Sequence, residues 1–135
     1  MVTNQRGVAT GKIRPSSLRE IHVRLKQVAA RNQGEITAIY CCTHDLPQNC
    51  SCRKPNPGML FQAALEHSLD LSESWMVGDS VTDITAGKRA RCKTALITHS
   101  EDCAGWPERP DIRAESLARV AGMILNADSL RTTAN

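Results

Sequence analysis

The segment Cys42-Thr43-His44-Asp45-Leu46-Pro47-Gln48-Asn49-Cys50-Ser51-Cys52 carries three cysteines and a histidine in the pattern C-x-H-x5-C-x-C. Thiolate sulfur and neutral imidazole nitrogen are the donors zinc prefers, and a structural zinc takes four of them in a tetrahedron. Ligands two residues apart on extended backbone project the same way. The polar connector from Asp45 to Asn49 is long enough to fold the second pair back onto the first. The spacing predicts a structural zinc site at Cys42, His44, Cys50 and Cys52. Arg53 and Lys54 follow at once, so whatever orders this loop also places two cations.

The competing reading is a disulfide pair or a set of loose thiols, since six cysteines is an even count. Cys50 and Cys52 are too close in sequence to bridge easily. The opening residues Met1 to Arg6 lack the basic start and apolar core of an export signal, so the expected location is the cytoplasm, where thiols stay reduced. Cys41, Cys92 and Cys103 are expected to serve as small apolar residues.

A second constellation is spread along the chain. Thr3 offers a hydroxyl and Asn4 an amide. Lys54 offers an ammonium, and Gly78-Asp79-Ser80-Val81-Thr82-Asp83 offers two carboxylates one helical turn apart. Taken singly, a Gly-Asp after a strand is usually a turn, and a lysine is usually solvated. Taken together, hydroxyl and ammonium can hold phosphoryl oxygens while the carboxylates hold a hard divalent cation such as Mg²⁺.

The elements that would position these groups alternate. Ser17-Leu18-Arg19-Glu20 reads as a capping box, with Leu18, Ile21, Leu25, Val28 and Ala29 at helical spacing behind it and Gly34 as a stop. Ile36 to Cys41 reads as a strand feeding the zinc loop. Pro57-Gly58 opens a helix with Leu60, Ala63, Ala64 and His67 inward. Trp75 to Gly78 is a short strand, Val81 to Ala90 a helix and Thr94 to Ile97 another strand. A loop holding Gly105, Pro107 and Pro110 leads to a helix with Leu117, Val120, Ile124 and Leu125. Such alternation predicts an α/β fold with a parallel sheet covered by helices on both faces. Ligands in such folds sit at the carboxyl ends of strands. Thr3-Asn4, the zinc loop and Asp79 are therefore expected to gather on one edge of one sheet.

With 135 residues the chain suits one domain, drawn here as 1–126 with a mobile tail at 127–135. Aromatics at 3% leave an aliphatic core and few rings to stack bases. A net charge of +3 from scattered basic residues gives no nucleic-acid patch. No apolar run reaches membrane-spanning length.

In order and type these motifs resemble the haloacid dehalogenase (HAD) superfamily of phosphotransferases. Val2-Thr3-Asn4-Gln5 is similar to its second motif, Lys54-Pro55 to its third, and Gly78 to Asp83 to its fourth. The cysteine loop narrows the resemblance to the subclass of heptose 1,7-bisphosphate 7-phosphatases and histidinol-phosphatases. Thr3-Asn4-Gln5-Arg6-Gly7-Val8-Ala9 and Cys52-Arg53-Lys54-Pro55-Asn56-Pro57-Gly58-Met59-Leu60 read closer to the heptose group.

The resemblance implies a Rossmann-like three-layer fold and a cytoplasmic, monomeric hydrolase of sugar phosphates using Mg²⁺, with structural zinc. It implies that Thr3 bonds the transferring phosphoryl, that Asn4 and Gln5 help position substrate, and that Arg53 contacts the sugar phosphate. Lys54 would neutralise developing charge, Asp79 would ligate Mg²⁺, and Asp83 would support that site from behind. Four protein ligands leave zinc no open position, so its task is to order the loop. A histidinol-phosphatase is the nearest alternative, and a non-catalytic, zinc-stabilised binding module the alternative from another class.

Two departures stand out. Ser80 takes the place of the lysine that commonly follows the metal-binding aspartate. The Asp-x-Asp-Gly-Thr strand, whose first aspartate attacks phosphorus and whose second serves as acid and base, has no counterpart, because the sequence contains no Asp-x-Asp. The central strand of the sheet would then be missing, leaving its two neighbours with open edges. The expectation is the larger, carboxy-terminal part of a phosphatase that does not turn over as it stands.

Overall fold

The computed structural model describes residues 1–100 and 105–132, with side chains through Ala127; Cys103 lies outside the described residues. The elements in order are β1 (Val2–Asn4), α1 (Arg6–Ala9), α2 (Pro15–Arg31), β2 (Tyr40–Cys42), α3 (Gly58–His67), β3 (Trp75–Gly78), α4 (Val81–Arg89), β4 (Lys93–Ile97), β5 (Ile112–Ala114) and α5 (Leu117–Thr132). They form two compact units, Met1–Leu69 and Asp70–Asn135. Each has its own parallel sheet, ordered β1-β2 in the first and β3-β4-β5 in the second. The α/β class with parallel strands is the one the alternating pattern predicts. No helix among the described residues is long and apolar enough to cross a membrane.

In the first unit the ladder pairs Val2 with Tyr40, Thr3 with Cys41 and Asn4 with Cys42. The strand expected over Ile36 to Cys41 is shorter than its β-branched run suggests. Pairing begins only at Tyr40, opposite Val2, so Ile36 to Ile39 have no ladder to join. The helix expected to start at a Ser17 capping box starts earlier, at Pro15 with Arg14 as the extended N-cap residue. Proline at the first helical position needs no N–H partner and comes with a helical φ, so it takes the start and leaves Ser17 inside. At the other end the left-handed residue is Gln33 (φ 60°), and Gly34 closes the turn by donating to the Ala29 carbonyl at 2.9 Å. In α3, Met59 is buried, Leu60, Ala63 and Ala64 are half-buried, and His67, expected inward, is exposed.

The second unit holds most of the buried apolar residues. Ile84 of α4 and Leu96 of β4 are fully enclosed, with Trp106 packed against them. Helix α4 comes so close to the sheet that a Cβ on Gly87 would meet Met76 Cβ and Thr94 Cγ2 at 2.7 Å each. Strand β5 falls where the sequence suggested only loop, and it pairs Ala95 with Ile112 and Ile97 with Ala114. Helix α5 runs to Thr132, beyond the boundary expected at 126.

Asp111 joins these pieces. Its carboxylate accepts from the Thr94 backbone N–H at 2.7 Å, the Thr94 hydroxyl at 2.8 Å and Lys88 Nζ at 2.6 Å. Burial works to raise its carboxyl, but the bonds from Lys88 and Thr94 outweigh that and hold it below the ordinary 3.8. A folded pKa below the unfolded one means the ionised form stabilises the fold above about pH 4 and the contribution disappears as pH falls through the folded value. Asp111→Asn should therefore melt below the parent protein at about pH 7, with the gap closing as pH falls below the ordinary carboxylate range. Thermal denaturation followed by circular dichroism across that range checks it.

Candidate active site and metal centre

The first unit assembles the cysteine loop around the end of β2. Cys42 Sγ lies 3.5 Å from His44 Nδ1 and 3.5 Å from Cys50 Sγ, Cys50 Sγ lies 3.5 Å from Cys52 Sγ, and Cys52 Sγ lies 3.2 Å from His44 Nδ1. All four donor atoms fall within 4.8 Å of one another. With Zn–S near 2.3 Å and Zn–N near 2.0 Å, a tetrahedron has edges of about 3.5–3.8 Å. The donor chemistry and spacing fit a zinc ion, with the imidazole turned to offer Nδ1. The cysteines among the described residues are all free thiols, so a disulfide is not what holds the loop.

Electrostatics make the same case for a cation. Burial opposes ionisation of Cys50, but bonds from the Cys52 thiol, the Arg53 backbone and the Cys42 thiol bring it down to about 6. Cys52 is pushed up to about 12, by burial first and then by its bonds and negative neighbours at Cys42 and Cys50. One thiolate forms readily and the next is resisted, the state a divalent cation reverses.

The turn between the ligand pairs is built, not slack. Asp45 caps a 3₁₀ turn at Leu46–Gln48, its side chain accepting from the Leu46 N–H at 2.7 Å while Gln48 Oε1 accepts from the Asp45 N–H at 2.6 Å. Arg6 of α1 reaches Asp45 Oδ1 at 2.5 Å. Asn56 donates to the Cys50 carbonyl at 2.9 Å. The backbone at Gly58 passes so close to Ser51 that a Cβ would lie 2.5 Å from its carbonyl oxygen. Sequence reasoning passed over Arg6, Asp45 and Asn56, although Asp45-x-x-Gln48 is a capping pattern written in the sequence.

Two cations leave this loop. Arg53 Nη2 donates to the His44 carbonyl at 2.5 Å, which ties the guanidinium to a ligand residue, while Arg53 Nε is buried with no hydrogen-bond partner. Lys54 Nζ donates to the Val2 carbonyl at 3.1 Å. Asn4 Nδ2 donates to the Lys54 carbonyl and Asn4 Oδ1 accepts from the Lys54 N–H, both at 3.1 Å. Gln5 Nε2 donates to Thr3 Oγ1 at 3.0 Å, and its backbone N–H to the Cys42 carbonyl at 2.7 Å. Asn4, Arg53 and Lys54, and through them the end of β1, are thus one hydrogen-bonded assembly with the cysteine loop.

Asp79 and Asp83 belong to the second unit, at the carboxyl end of β3. β1 and β3 lie in separate sheets, each with one edge unpaired among the described residues. Asp83 is buried at 4% exposure, and its Oδ2 accepts from the Asp79 N–H at 3.2 Å, the Ser80 N–H at 3.2 Å and the Ser80 hydroxyl at 2.8 Å. Ser80 in turn caps α4. Asp83 closes the turn, whereas Asp79 is exposed and its carboxylate engages no protein donor among the described residues. One carboxylate is spent on the turn and the other is presented to solvent.

The chain belongs to the HAD-hydrolase-like family, whose pattern matches residues 51–120. It is similar to the D-glycero-beta-D-manno-heptose-1,7-bisphosphate 7-phosphatase of Pseudomonas aeruginosa, 39% identical over 97 residues, which make 72% of this chain and 54% of that protein. The phosphatase of the same name from Bordetella bronchiseptica is 34% identical over 130 residues, 93% of this chain and 72% of its own. The crystal structure of the B. bronchiseptica D,D-heptose 1,7-bisphosphate phosphatase complexed with magnesium and phosphate matches with a TM-score of 0.83 at 34% identity, over 93% of this chain and 73% of that one. The chain spans about half the length of the P. aeruginosa and Helicobacter pylori phosphatases it matches.

Gly78 makes the Asp83 arrangement possible, because a Cβ there would fall inside the Asp83 carboxylate. Gly78→Ala should cost about 1–3 kcal/mol and free Asp83 from the turn. Gly122, in α5 with nothing within 4 Å of an added Cβ, should instead gain about 0.5–1 kcal/mol on replacement by alanine. Urea unfolding of the two variants should move in opposite directions.

Proposed function

We propose that the chain is the larger part of a Mg²⁺-dependent phosphatase that removes the 7-phosphate of D-glycero-D-manno-heptose 1,7-bisphosphate. The observation carrying this reading is an exposed Asp79, raised on a turn that Asp83 closes, in a chain alike over 93% of its length to a phosphatase complexed with magnesium and phosphate. Thr3 and Lys54 would bind the transferring phosphoryl, Gln5 would line that position, and Arg53 would meet the sugar phosphate. Asp79 would ligate Mg²⁺, with Asp83 behind it. Cys42, His44, Cys50 and Cys52 would hold zinc with a filled coordination shell, so zinc orders the loop and takes no part in the reaction. The setting is a cytoplasmic, monomeric enzyme of sugar-phosphate metabolism, with a small phosphorylated sugar as partner.

Attack on phosphorus needs a carboxylate nucleophile and a second carboxyl to protonate the leaving sugar oxygen. No Asp-x-Asp occurs among the 135 residues, and this reading assigns that pair to a segment outside them. Phosphate release from the heptose bisphosphate with Mg²⁺ is expected only when a segment carrying Asp-x-Asp-Gly-Thr is joined ahead of Met1. Release by the 135 residues alone would overturn the assignment of the nucleophile, and faster release from histidinol phosphate would overturn the substrate.

In the active form Asp79→Asn should abolish Mg²⁺-dependent turnover with zinc content unchanged. Cys50→Ser should lower zinc content and thermal stability first, with activity lost as a consequence. Metal analysis beside the assay separates the two, and loss of zinc in Asp79→Asn would sink the separation of roles.

A further inference from the structure

We propose that Asn4 is a positioning residue that acts on the backbone of Lys54, not on substrate. The inference rests on the phosphatase reading for its consequence and on geometry alone for its substance. The Asn4 carboxamide meets the Lys54 residue at both of its peptide groups, Nδ2 donating to the carbonyl and Oδ1 accepting from the N–H, each at 3.1 Å across fifty positions of chain. A carboxamide is the side chain that offers a donor and an acceptor in one plane at this reach. Aspartate lacks the donor, and leucine lacks both.

The clamp sits where its leverage is greatest. Asn4 is the last residue of β1 and pairs with Cys42, itself a cysteine-loop ligand. The next residue, Gln5, donates to the Cys42 carbonyl at 2.7 Å. Lys54 follows the last loop ligand by two residues, and its ammonium donates to the Val2 carbonyl at 3.1 Å. Strand β1 therefore holds Lys54 by backbone and by side chain at once. Thr3 stands between the two holding residues, Val2 and Asn4, so hydroxyl and ammonium are carried on a single framework. An ammonium on four rotatable bonds is a poor fixed charge, and anchoring both its ends removes that freedom before an anion arrives.

Positioning and direct contact differ in what they predict. If Asn4 touches the phosphoryl group, deleting its amide weakens anion binding whether or not Lys54 is present. If it acts through Lys54, its deletion has no effect once Lys54 is gone.

The test has two arms. Amide hydrogen exchange by NMR should show the Lys54 N–H losing about tenfold of its protection in Asn4→Ala while the Thr94 N–H, bonded to Asp111, is unchanged. Asn4→Asp, which keeps the acceptor, should retain most of that protection, and Asn4→Leu, which lacks donor and acceptor, stands in should Asn4→Ala fail to fold. Unchanged protection of Lys54 in Asn4→Ala or Asn4→Leu overturns the clamp. The second arm measures the Kd for inorganic phosphate with Mg²⁺ in the parent protein, Asn4→Ala, Lys54→Met and the double variant. Asn4→Ala should weaken binding about tenfold alone and not further in the Lys54→Met background. Additive losses would overturn the proposal by placing Asn4 on the anion. A parent protein that binds no phosphate would count against the phosphatase reading, while the exchange arm still decides the clamp.

Discussion

Three sulfurs and a ring nitrogen lie within 4.8 Å of one another, and the sulfurs cannot all carry thiolate charge at that spacing unless a cation stands among them. That constraint governs the Met1–Leu69 unit. The loop contributes no buried apolar side chain beyond Cys42, so hydrophobic packing cannot hold it. Hydrogen bonds hold it instead, and nearly all of them start or end on a ligand or its immediate neighbour: Arg53 on the His44 carbonyl, Asn56 on the Cys50 carbonyl, Gln5 on the Cys42 carbonyl. The geometry of the cluster passes outward along such bonds to Arg53 and Lys54.

The second unit solves a related problem without a metal. Two aspartates one helical turn apart would repel if both faced solvent. Asp83 is drawn into the turn by two backbone N–H groups and the Ser80 hydroxyl, which supply the donors its charge needs. Asp79 keeps its charge outside. The same residue type acquires opposite duties from which side of the turn it occupies, and Gly78 is the residue that leaves room for the division.

Local chemistry was legible in the sequence and long-range pairing was not. The cysteine–histidine cluster could be read because all four residues fall within one short segment, and the strands at Trp75 and Thr94 because each is a compact apolar run. Ile36 to Ile39 misled because a β-branched run signals a willing strand, while a strand also requires a partner, and pairing with β1 starts at Tyr40. Strand β5 escaped because three residues between Pro110 and Ser116 show no periodicity. The Asn4 clamp was hidden for a deeper reason: carboxamides are common, and nothing near Asn4 names a partner fifty residues away. Ser17 illustrates the converse, a true capping pattern overruled by a proline just upstream.

The distribution of buried side chains has a thermodynamic consequence. Leu18, Cys42 and Met59 are the buried apolar residues of the first unit, whereas the second has Met76, Ile84, Ala86, Ala90, Cys92, Ala95, Leu96 and Val120. Heat capacity of unfolding follows apolar surface newly exposed to water, and polar surface subtracts from it. A unit with few buried apolar side chains, held by side-chain-to-backbone bonds, therefore unfolds with a smaller heat-capacity change and a flatter stability curve. The aliphatic unit beside it in sequence has the steeper curve, with a sharper optimum temperature. Cooling and heating consequently bear unequally on the two halves of one short chain.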